Sequence, residues 1–217
     1  MPSVRHHRPW DITRSALLKS CRARGLYRRS GISPCPEDSR VGIINQKSLL
    51  VKPFKSNYNI IMQHIADQIH KTLIKRKRTV SVAESCTGGL VCAALTSISG
   101  SSGYFSLGII TYSNQAKHGL LGIPLTLINN KGAVSAEVAL KMAEAVRKLA
   151  KTDYGISITG IAGPTGGSPW KPVGTVFIAV CDKKRLICRG FRLKGSRASI
   201  RKQSVTMALR LFKNFLG

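Results

Sequence analysis

The pattern of hydrophobic and polar residues divides the chain near residue 58. Beyond this point large aliphatic residues recur every four positions, a period that places them on one face of an amphipathic helix. They are Ile61, Ile65, Ile69 and Leu73. Before this point scattered arginines and prolines follow neither the helical period nor the strand period, so we expect little fixed structure. The sequence therefore predicts a basic, disordered extension over residues 1–58 and one globular domain over residues 59–217.

Short runs rich in β-branched residues predict the strands of this domain. Three of them, residues 79–84, 107–112 and 154–159, alternate with helical segments. Two further runs, residues 173–182 and 185–193, are separated by Lys183 and Lys184 and predict an antiparallel hairpin. Strands that alternate with helices and end in a hairpin predict an α/β fold, a three-layer α/β/α sandwich with a mixed sheet.

Polar capping residues indicate where the helices begin. One helix is predicted from about Thr87 to Ile98, the next begins at Ser113 or Asn114, and the last begins near Ser196.

Residues 135–150 predict the most regular helix, with Ser135 as its N-cap. Its predicted core-facing stripe consists of Val138, Met142, Val146 and Leu149. Its outer face predicts two ion pairs at i,i+4 spacing, Glu137–Lys141 and Glu144–Lys148.

The charge of the chain is strongly positive, with 35 basic and 9 acidic residues and a net charge of +26. The excess is spread along the chain and comes with no zinc finger, aromatic RNA-binding motif or helix-turn-helix, so it gives only weak support for a nucleic-acid partner. Small anionic substrates would be attracted as well. The sequence leaves the oligomeric state open, a homo-oligomer included.

Six cysteines form no CxxC pair and no spacing typical of a metal site, so we expect reduced thiols in the cytoplasm and no metal. No apolar run is long enough to span a bilayer, and no membrane partner is expected. The Arg-rich start resembles a transit peptide in composition, but we favour translation from Met62, at the start of the first helical pattern, as the explanation of residues 1–58.

The first candidate for chemistry is the segment AESCTGG, residues 83–89, where a predicted strand turns into a helix. A hydroxyl at such a strand end, Ser85, can attack a carbonyl carbon while the N–H groups of Cys86 to Gly88 stabilise the oxyanion. Ser85 and Thr87 could equally be ordinary N-caps of the helix. Cys86 is the rival nucleophile, although a small residue at a helix start is more commonly packed than reactive.

A serine nucleophile needs a base, and the five histidines do not supply a convincing one. His118 lies nearest to the predicted loops, but it has no acidic residue to orient it. Lys117 lies on the adjoining strand-to-helix turn, five residues after Tyr112, and a lysine becomes a base when burial lowers its pKa. Most lysines are simply solvated, so from the spacing alone a solvated Lys117 remains an open alternative to a catalytic base.

A third strand ends at Thr159 and continues into the loop TGIAGPTGG, residues 159–167. Its glycines and proline suit a loop that folds N–H groups around an anion, but it matches neither the Walker motif nor GxGxxG. Arg197, at the start of the last helix beside Lys194 and Arg201, would be stabilised there by an anionic ligand. A solvent-screened surface is the alternative for these cations.

Taken together, the segments AESCTGG, GSSGYF, TYSNQAK, GAVS and SITGIAGPTGG followed by KPVGTV resemble the C-terminal domain of the competence/damage-inducible protein CinA. This domain also occurs alone as the nicotinamide-nucleotide amidohydrolase PncC. The resemblance covers residues 59–217. It implies an α/β/α sandwich that hydrolyses nicotinamide mononucleotide to nicotinic acid mononucleotide and ammonia without metal or cofactor, so the expected partner is a small anionic nucleotide.

The resemblance also implies roles for individual residues. Ser85 is the expected nucleophile, Lys117 and Tyr112 the base and proton relay, and Thr159 and Arg197 hold or polarise the substrate. From the two glycine-containing loops we add four substrate-binding candidates: Thr87, Gly88, Gly160 and Gly163.

The chain departs from the family before Arg197, where Gly195-Ser196 stands in place of the usual Gly-Asp. Two other functions stay open. One is a non-catalytic, DNA-associated binding module that uses the basic surface. The other is hydrolysis of a different carboxamide.

Overall fold

The computed structural model describes the backbone of residues 57–217 and the side chains from residue 60 onward. The predicted extension therefore lies outside the described residues, apart from Asn57 and Tyr58 at the start of the first helix. Six α-helices and one short 3-10 helix (Ser101–Gly103) surround five strands in this part of the chain. The helices are α1 (Asn57–Arg76), α2 (Leu90–Thr96), α3 (Asn114–Leu121), α4 (Leu125–Lys131), α5 (Ala136–Ala150) and α6 (Arg197–Leu216). The strands are β1 (Val80–Glu84), β2 (Phe105–Ile110), β3 (Tyr154–Gly160), β4 (Thr175–Cys181) and β5 (Leu186–Arg192).

The five strands form one mixed sheet in the order β2-β1-β3-β4-β5. Strand β1 pairs in parallel with β2 and β3, whereas β4 pairs antiparallel with β3 and β5. The carboxyl ends of β1, β2 and β3 therefore meet at one edge of the sheet, where loops and helix starts collect. The α/β class and the mixed sheet predicted from the sequence are confirmed.

Helices cover both faces of the sheet and complete the three layers. On one face, α1, α2 and α6 bury a core that includes Ile69, Leu95 and Phe212 against Val82 and Ile156. On the other face, α3, α4 and α5 pack a second cluster against Ala83 of β1. In the described part of the chain, no helix has both the length and the hydropathy that crossing a bilayer requires.

Local capping agrees with the prediction for three helices. The hydroxyls of Ser113, Ser135 and Ser196 accept the N–H groups of Ala116, Val138 and Ser199, respectively. These serines therefore cap α3, α5 and α6.

Helix α2 begins at Leu90, three residues later than predicted. Gly88 and Gly89 have φ angles of +59° and +95°, so the chain makes a left-handed turn before the helix starts. The helix has Gly89 at its N-cap, and neither Ser85 nor Thr87 caps it. The alternative that these hydroxyls serve as ordinary N-caps is therefore wrong.

Three further details differ from the sequence prediction. Strand β2 lies two residues earlier than expected, and helix α4 was not predicted. Leu149 of the predicted core stripe is 54% exposed, so the buried stripe of α5 ends at Val146. The carboxylates of α5 pair with other lysines than predicted: Glu144 pairs with Lys141 at i,i+3 spacing, and Glu137 pairs with Lys131 at the end of α4.

Candidate active site

Ser85 directly follows β1, and its side chain is buried at the carboxyl edge of the sheet. Its N–H donates to the carbonyl of Ile158 on the neighbouring strand at 3.0 Å, which attaches the start of the turn to the sheet. Lys117 Nζ lies 3.2 Å from Ser85 Oγ and 2.8 Å from the carbonyl oxygen of Thr111. The structure thus brings together a hydroxyl and an amine that are 32 residues apart in the sequence.

Lys117 occupies an inward-facing position of α3, one turn before the buried Leu121. Its side chain is 1% exposed, an unusual environment for an ammonium group. Burial lowers the pKa of the Lys117 amine from the ordinary lysine value, because the charged form loses its hydration. A neutral amine can donate one hydrogen to the Thr111 carbonyl and accept the Ser85 hydroxyl proton with its lone pair.

Glu84 supports the turn that follows Ser85, a role that the sequence analysis missed. Its fully buried carboxylate accepts the N–H groups of Gly89 at 3.0 Å, Val91 at 3.2 Å and Cys92 at 2.8 Å. These are the orphan donors at the start of α2, and a negative charge is stabilised there by the helix dipole. An acidic residue at the junction of a buried strand and a helix was the sequence signal for this role.

Arg201 of α6 holds the same turn from the opposite side. Its Nη2 donates to the carbonyl of Thr87 at 2.7 Å and lies beside Gly88, where a Cβ would approach it to 3.2 Å. The Thr87 hydroxyl is buried and has no hydrogen-bond partner among the described residues. The Gly88 N–H donates to the Ser85 carbonyl at 3.1 Å, which removes it from the predicted set of oxyanion donors.

A cavity of about 250 Å³ opens next to Ser85 and Lys117. Of the other predicted site residues, Tyr112, Thr159, Gly160, Gly163 and Arg197 line it. Thr87 and Gly88 do not, because the turn directs them toward Arg201. Further lining residues were not predicted, although they lie in the segments TYSNQAK, GAVS and TGIAGPTGG. These residues are Asn114, Ala133, Val134, Ile161, Ala162, Thr165 and Gly166.

Arg197 joins two sides of this cavity. Its Nη2 donates to the Tyr112 hydroxyl and its Nη1 to the carbonyl of Gly163, both at 2.8 Å. Ser196 caps the helix at the position where the resemblance implied an acidic residue, and Arg197 reaches both partners. The Tyr112 hydroxyl therefore contacts Arg197, whereas Lys117 contacts Ser85 directly.

Thr159 and Gly160 shape the floor of the cavity. The Thr159 hydroxyl donates to the carbonyl of Ala133 at 2.8 Å and so connects the end of β3 to the loop before α5. A Cβ on Gly160 would lie 2.9 Å from the Thr175 carbonyl oxygen and 3.1 Å from Cys86 Sγ, so a side chain there would displace the neighbouring strand or the thiol.

The two rival groups are less suited to the chemistry. Cys86 also lines the cavity, but burial raises the pKa of its thiol to about 12, so the nucleophilic thiolate is scarce at neutral pH. His118 Nδ1 lies 2.9 Å from the Ile123 carbonyl oxygen at the end of α3, and this ring does not line the cavity.

The fold and the site define an α/β/α domain in which a serine at a strand end contacts a buried lysine beside a cavity with an arginine on its rim. The chain belongs to the family of the CinA C-terminal domain, whose sequence profile matches residues 62–216.

Relatives and solved structures carry the same family names. A putative competence-damage inducible protein of Thermoanaerobacter pseudethanolicus is 43% identical over 159 residues, which cover 73% of this chain and 38% of the relative. A CinA-like protein of Geobacter metallireducens is 51% identical over 131 residues, 60% of this chain and 32% of the relative. The chain thus spans less than two fifths of the length of these curated relatives.

The crystal structure of competence/damage inducible protein CihA from Agrobacterium tumefaciens superposes with a TM-score of 0.70 at 37% identity, covering 72% of this chain and 95% of that chain. A CinA-superfamily protein from Escherichia coli superposes with a TM-score of 0.69 at 28% identity, covering 74% of this chain and 93% of that chain. The described domain therefore corresponds to nearly the whole of these solved chains.

Proposed function

We propose that this domain is an amidohydrolase that converts nicotinamide mononucleotide to nicotinic acid mononucleotide and ammonia, with Ser85 as nucleophile and Lys117 as base. The observation that carries the proposal is the 3.2 Å contact between Lys117 Nζ and Ser85 Oγ at the wall of a cavity. A hydroxyl is a weak nucleophile at neutral pH and needs an adjacent base, and a desolvated lysine can be that base.

In the first half of the reaction, neutral Lys117 accepts the Ser85 proton while Oγ bonds to the carboxamide carbon. The negative charge moves to the carboxamide oxygen, where the N–H group of Cys86, which lines the cavity, is the proposed donor. The C–N bond then breaks, and the Lys117 ammonium returns its proton to the leaving nitrogen, which departs as ammonia. The product of this half is an ester between Ser85 and the nicotinoyl group.

In the second half, water replaces the amine. Lys117 accepts a proton from water as the water oxygen attacks the ester carbon, and the proton then returns to Ser85 Oγ as the ester bond breaks. The acid product and free enzyme result. The amine thus takes and returns one proton in each half of the cycle, which requires that burial keep it largely neutral near the working pH.

The rim of the cavity suits an anionic substrate. Arg197 keeps a positive charge between Tyr112 and the glycine loop, where a substrate phosphate could replace one of its neutral partners with a charge-assisted hydrogen bond. The roles of Tyr112, Thr159, Gly160 and Gly163 in this proposal are to position the nucleotide.

The four described cysteines are free thiols, as is usual in a reducing compartment, and we place the reaction in the cytoplasm.

The test is ammonia release by the full chain and by Ser85→Ala, assayed with nicotinamide mononucleotide and with a panel of other carboxamides. We expect Ser85→Ala to reduce turnover to the background rate while circular dichroism stays that of the parent. Ser97→Ala, a serine at the end of α2, is the matched control and should retain full activity.

Turnover retained by Ser85→Ala would remove the nucleophile assignment. Turnover of another carboxamide but not of the mononucleotide would preserve the amidase chemistry and change the substrate. A folded parent that releases no ammonia from any member of the panel would contradict the proposed function.

A further inference from the structure

The end of the sheet opposite Ser85 carries a cluster of positive charge. Ser85 follows the carboxyl end of β1, whereas Arg78 precedes its amino end, and five strand residues separate the two edges by roughly 16 Å. Because β4 is antiparallel to β3, with Cys181 paired to Gly155, the β4–β5 turn reaches this same opposite edge. Six exposed cations lie there, and we call them the basal face: Lys77, Arg78, Lys151, Lys183, Lys184 and Arg185.

Four cations of the basal face, Arg78, Lys183, Lys184 and Arg185, line a cavity of about 260 Å³ between β1 and the β4–β5 turn. Two carboxylates contact it, and both are already engaged. Asp153 pairs with Arg78 at 2.7 Å, and Asp182 pairs with Arg185 at 3.0 Å. Lys183 and Lys184, which line the same cavity, have no carboxylate within ion-pair distance among the described residues. The face therefore keeps an uncompensated positive charge.

The backbone at this face supplies an independent observation. Among the described residues, Lys77 and Lys151 are the non-glycine residues with a positive φ, at 50° and 53°, and both belong to the basal face. Both follow the last turn of a helix, where the left-handed conformation favours glycine. A lysine at each of these positions keeps a cation on this face at the expense of backbone strain.

We propose that the basal face binds double-stranded nucleic acid through its phosphate backbone, without base-specific contacts. Clustered Lys and Arg side chains release counterions from a duplex, and this gives sequence-independent affinity. The turn Asp182–Arg185 carries only charged side chains, and the one exposed apolar residue beside it, Leu186, does not form the apolar face that enters an acyl layer, which disfavours an acidic membrane as the partner. Tyr154, the aromatic residue at the cavity, is buried and offers no stacking platform for single strands.

The test measures the dissociation constant of the full chain for a labelled, mixed-sequence duplex at salt concentrations from about 50 to 200 mM. The variant Lys183→Gln/Lys184→Gln is compared with Lys202→Gln/Arg210→Gln, which removes the same charge from exposed positions of α6. We expect the first to bind at least tenfold more weakly, with a log–log salt slope smaller by about two. The control should change affinity by no more than about twofold, and both should keep any amidase activity of the parent.

A second pair of variants separates binding from folding. Lys77→Gly and Lys151→Gly relieve the left-handed strain, so each should raise the melting temperature by about 2–4 °C. Each also removes one cation from the face, so each should weaken duplex binding about threefold or more. Stability and affinity are thus expected to move in opposite directions, which general damage to the fold would not produce.

Parent affinity and salt slope in Lys183→Gln/Lys184→Gln would overturn the proposal. An equal loss in the α6 control would also overturn it, because the attraction would then come from the net charge of the chain and not from the basal face. Vesicles of phosphatidylcholine with phosphatidylserine are the alternative probe. Vesicle binding that the basal variants lose, together with unchanged duplex binding, would assign the face to an acidic membrane.

Discussion

The carboxylate of Glu84 is expected to be a principal support of the turn that carries Ser85, and Glu84→Gln tests this. In the parent, one carboxylate oxygen accepts the N–H groups of Gly89 and Val91, and the other accepts that of Cys92 at 2.8 Å. Glutamine is similar in size but keeps a single acceptor oxygen. Whichever way the amide is oriented, its NH₂ group faces at least one N–H donor of α2 in a fully buried site.

The size of the effect follows from these contacts. Loss of one charge-assisted hydrogen bond costs about 1.5–3 kcal/mol, and a buried N–H left without an acceptor costs about 1–3 kcal/mol, terms that partly overlap. Loss of the negative charge at the helix start adds about 0.3–1 kcal/mol. We therefore expect Glu84→Gln to lower the free energy of unfolding by about 3 kcal/mol. For a domain of this size, that corresponds to a melting temperature about 6–12 °C lower.

The assay is thermal and urea unfolding of the full chain, followed by far-ultraviolet circular dichroism. Glu144→Gln is the matched control, because it removes a carboxylate that pairs with Lys141 on the surface of α5. This change should cost no more than about 0.5 kcal/mol. Turnover of Glu84→Gln should also fall, with kcat affected more than KM, because a displaced turn moves Ser85 away from Lys117. A melting temperature within about 2 °C of the parent would refute the reasoning.

Three further changes probe the site. Lys117→Met should abolish turnover. Burial lowers the pKa of Lys117, so between that lowered pKa and the ordinary value of 10.5 the folded parent binds fewer protons than the unfolded chain. The free energy of unfolding of the parent should therefore rise with pH through that window. Urea unfolding at two pH values within the window checks this, and an equal rise in Lys117→Met would contradict it. Cys86→Ala should keep more than about half of the parent kcat, because burial raises the pKa of the thiol to about 12, and loss of all ammonia release would make the thiol essential. Arg201→Met removes the hydrogen bond to the Thr87 carbonyl and should lower kcat about tenfold with a smaller effect on KM, whereas unchanged kinetics would show that the turn does not need this contact.

Regular structure was predictable because it depends on neighbours in the chain. The periodic aliphatic residues of α1, the β-branched runs and the serine caps of α3, α5 and α6 all act within a few residues of one another. The predicted start of α2 was wrong because the group that accepts its first N–H donors does not lie at the expected cap positions. The Glu84 side chain reaches forward from the strand, and two left-handed glycines delay the helix.

For the candidate site as well, some features were predictable from the sequence and others depended on the tertiary structure. The sequence alone placed Ser85, Tyr112 and Thr159 at strand ends, because parallel strands bring their carboxyl ends to one edge of a sheet. Only the tertiary structure decided that Lys117 is buried against Ser85, that Tyr112 contacts Arg197, and that Thr87 is turned away from the cavity. Desolvation and hydrogen bonding between distant segments depend on which helices pack together, and no local spacing in the sequence encodes that packing.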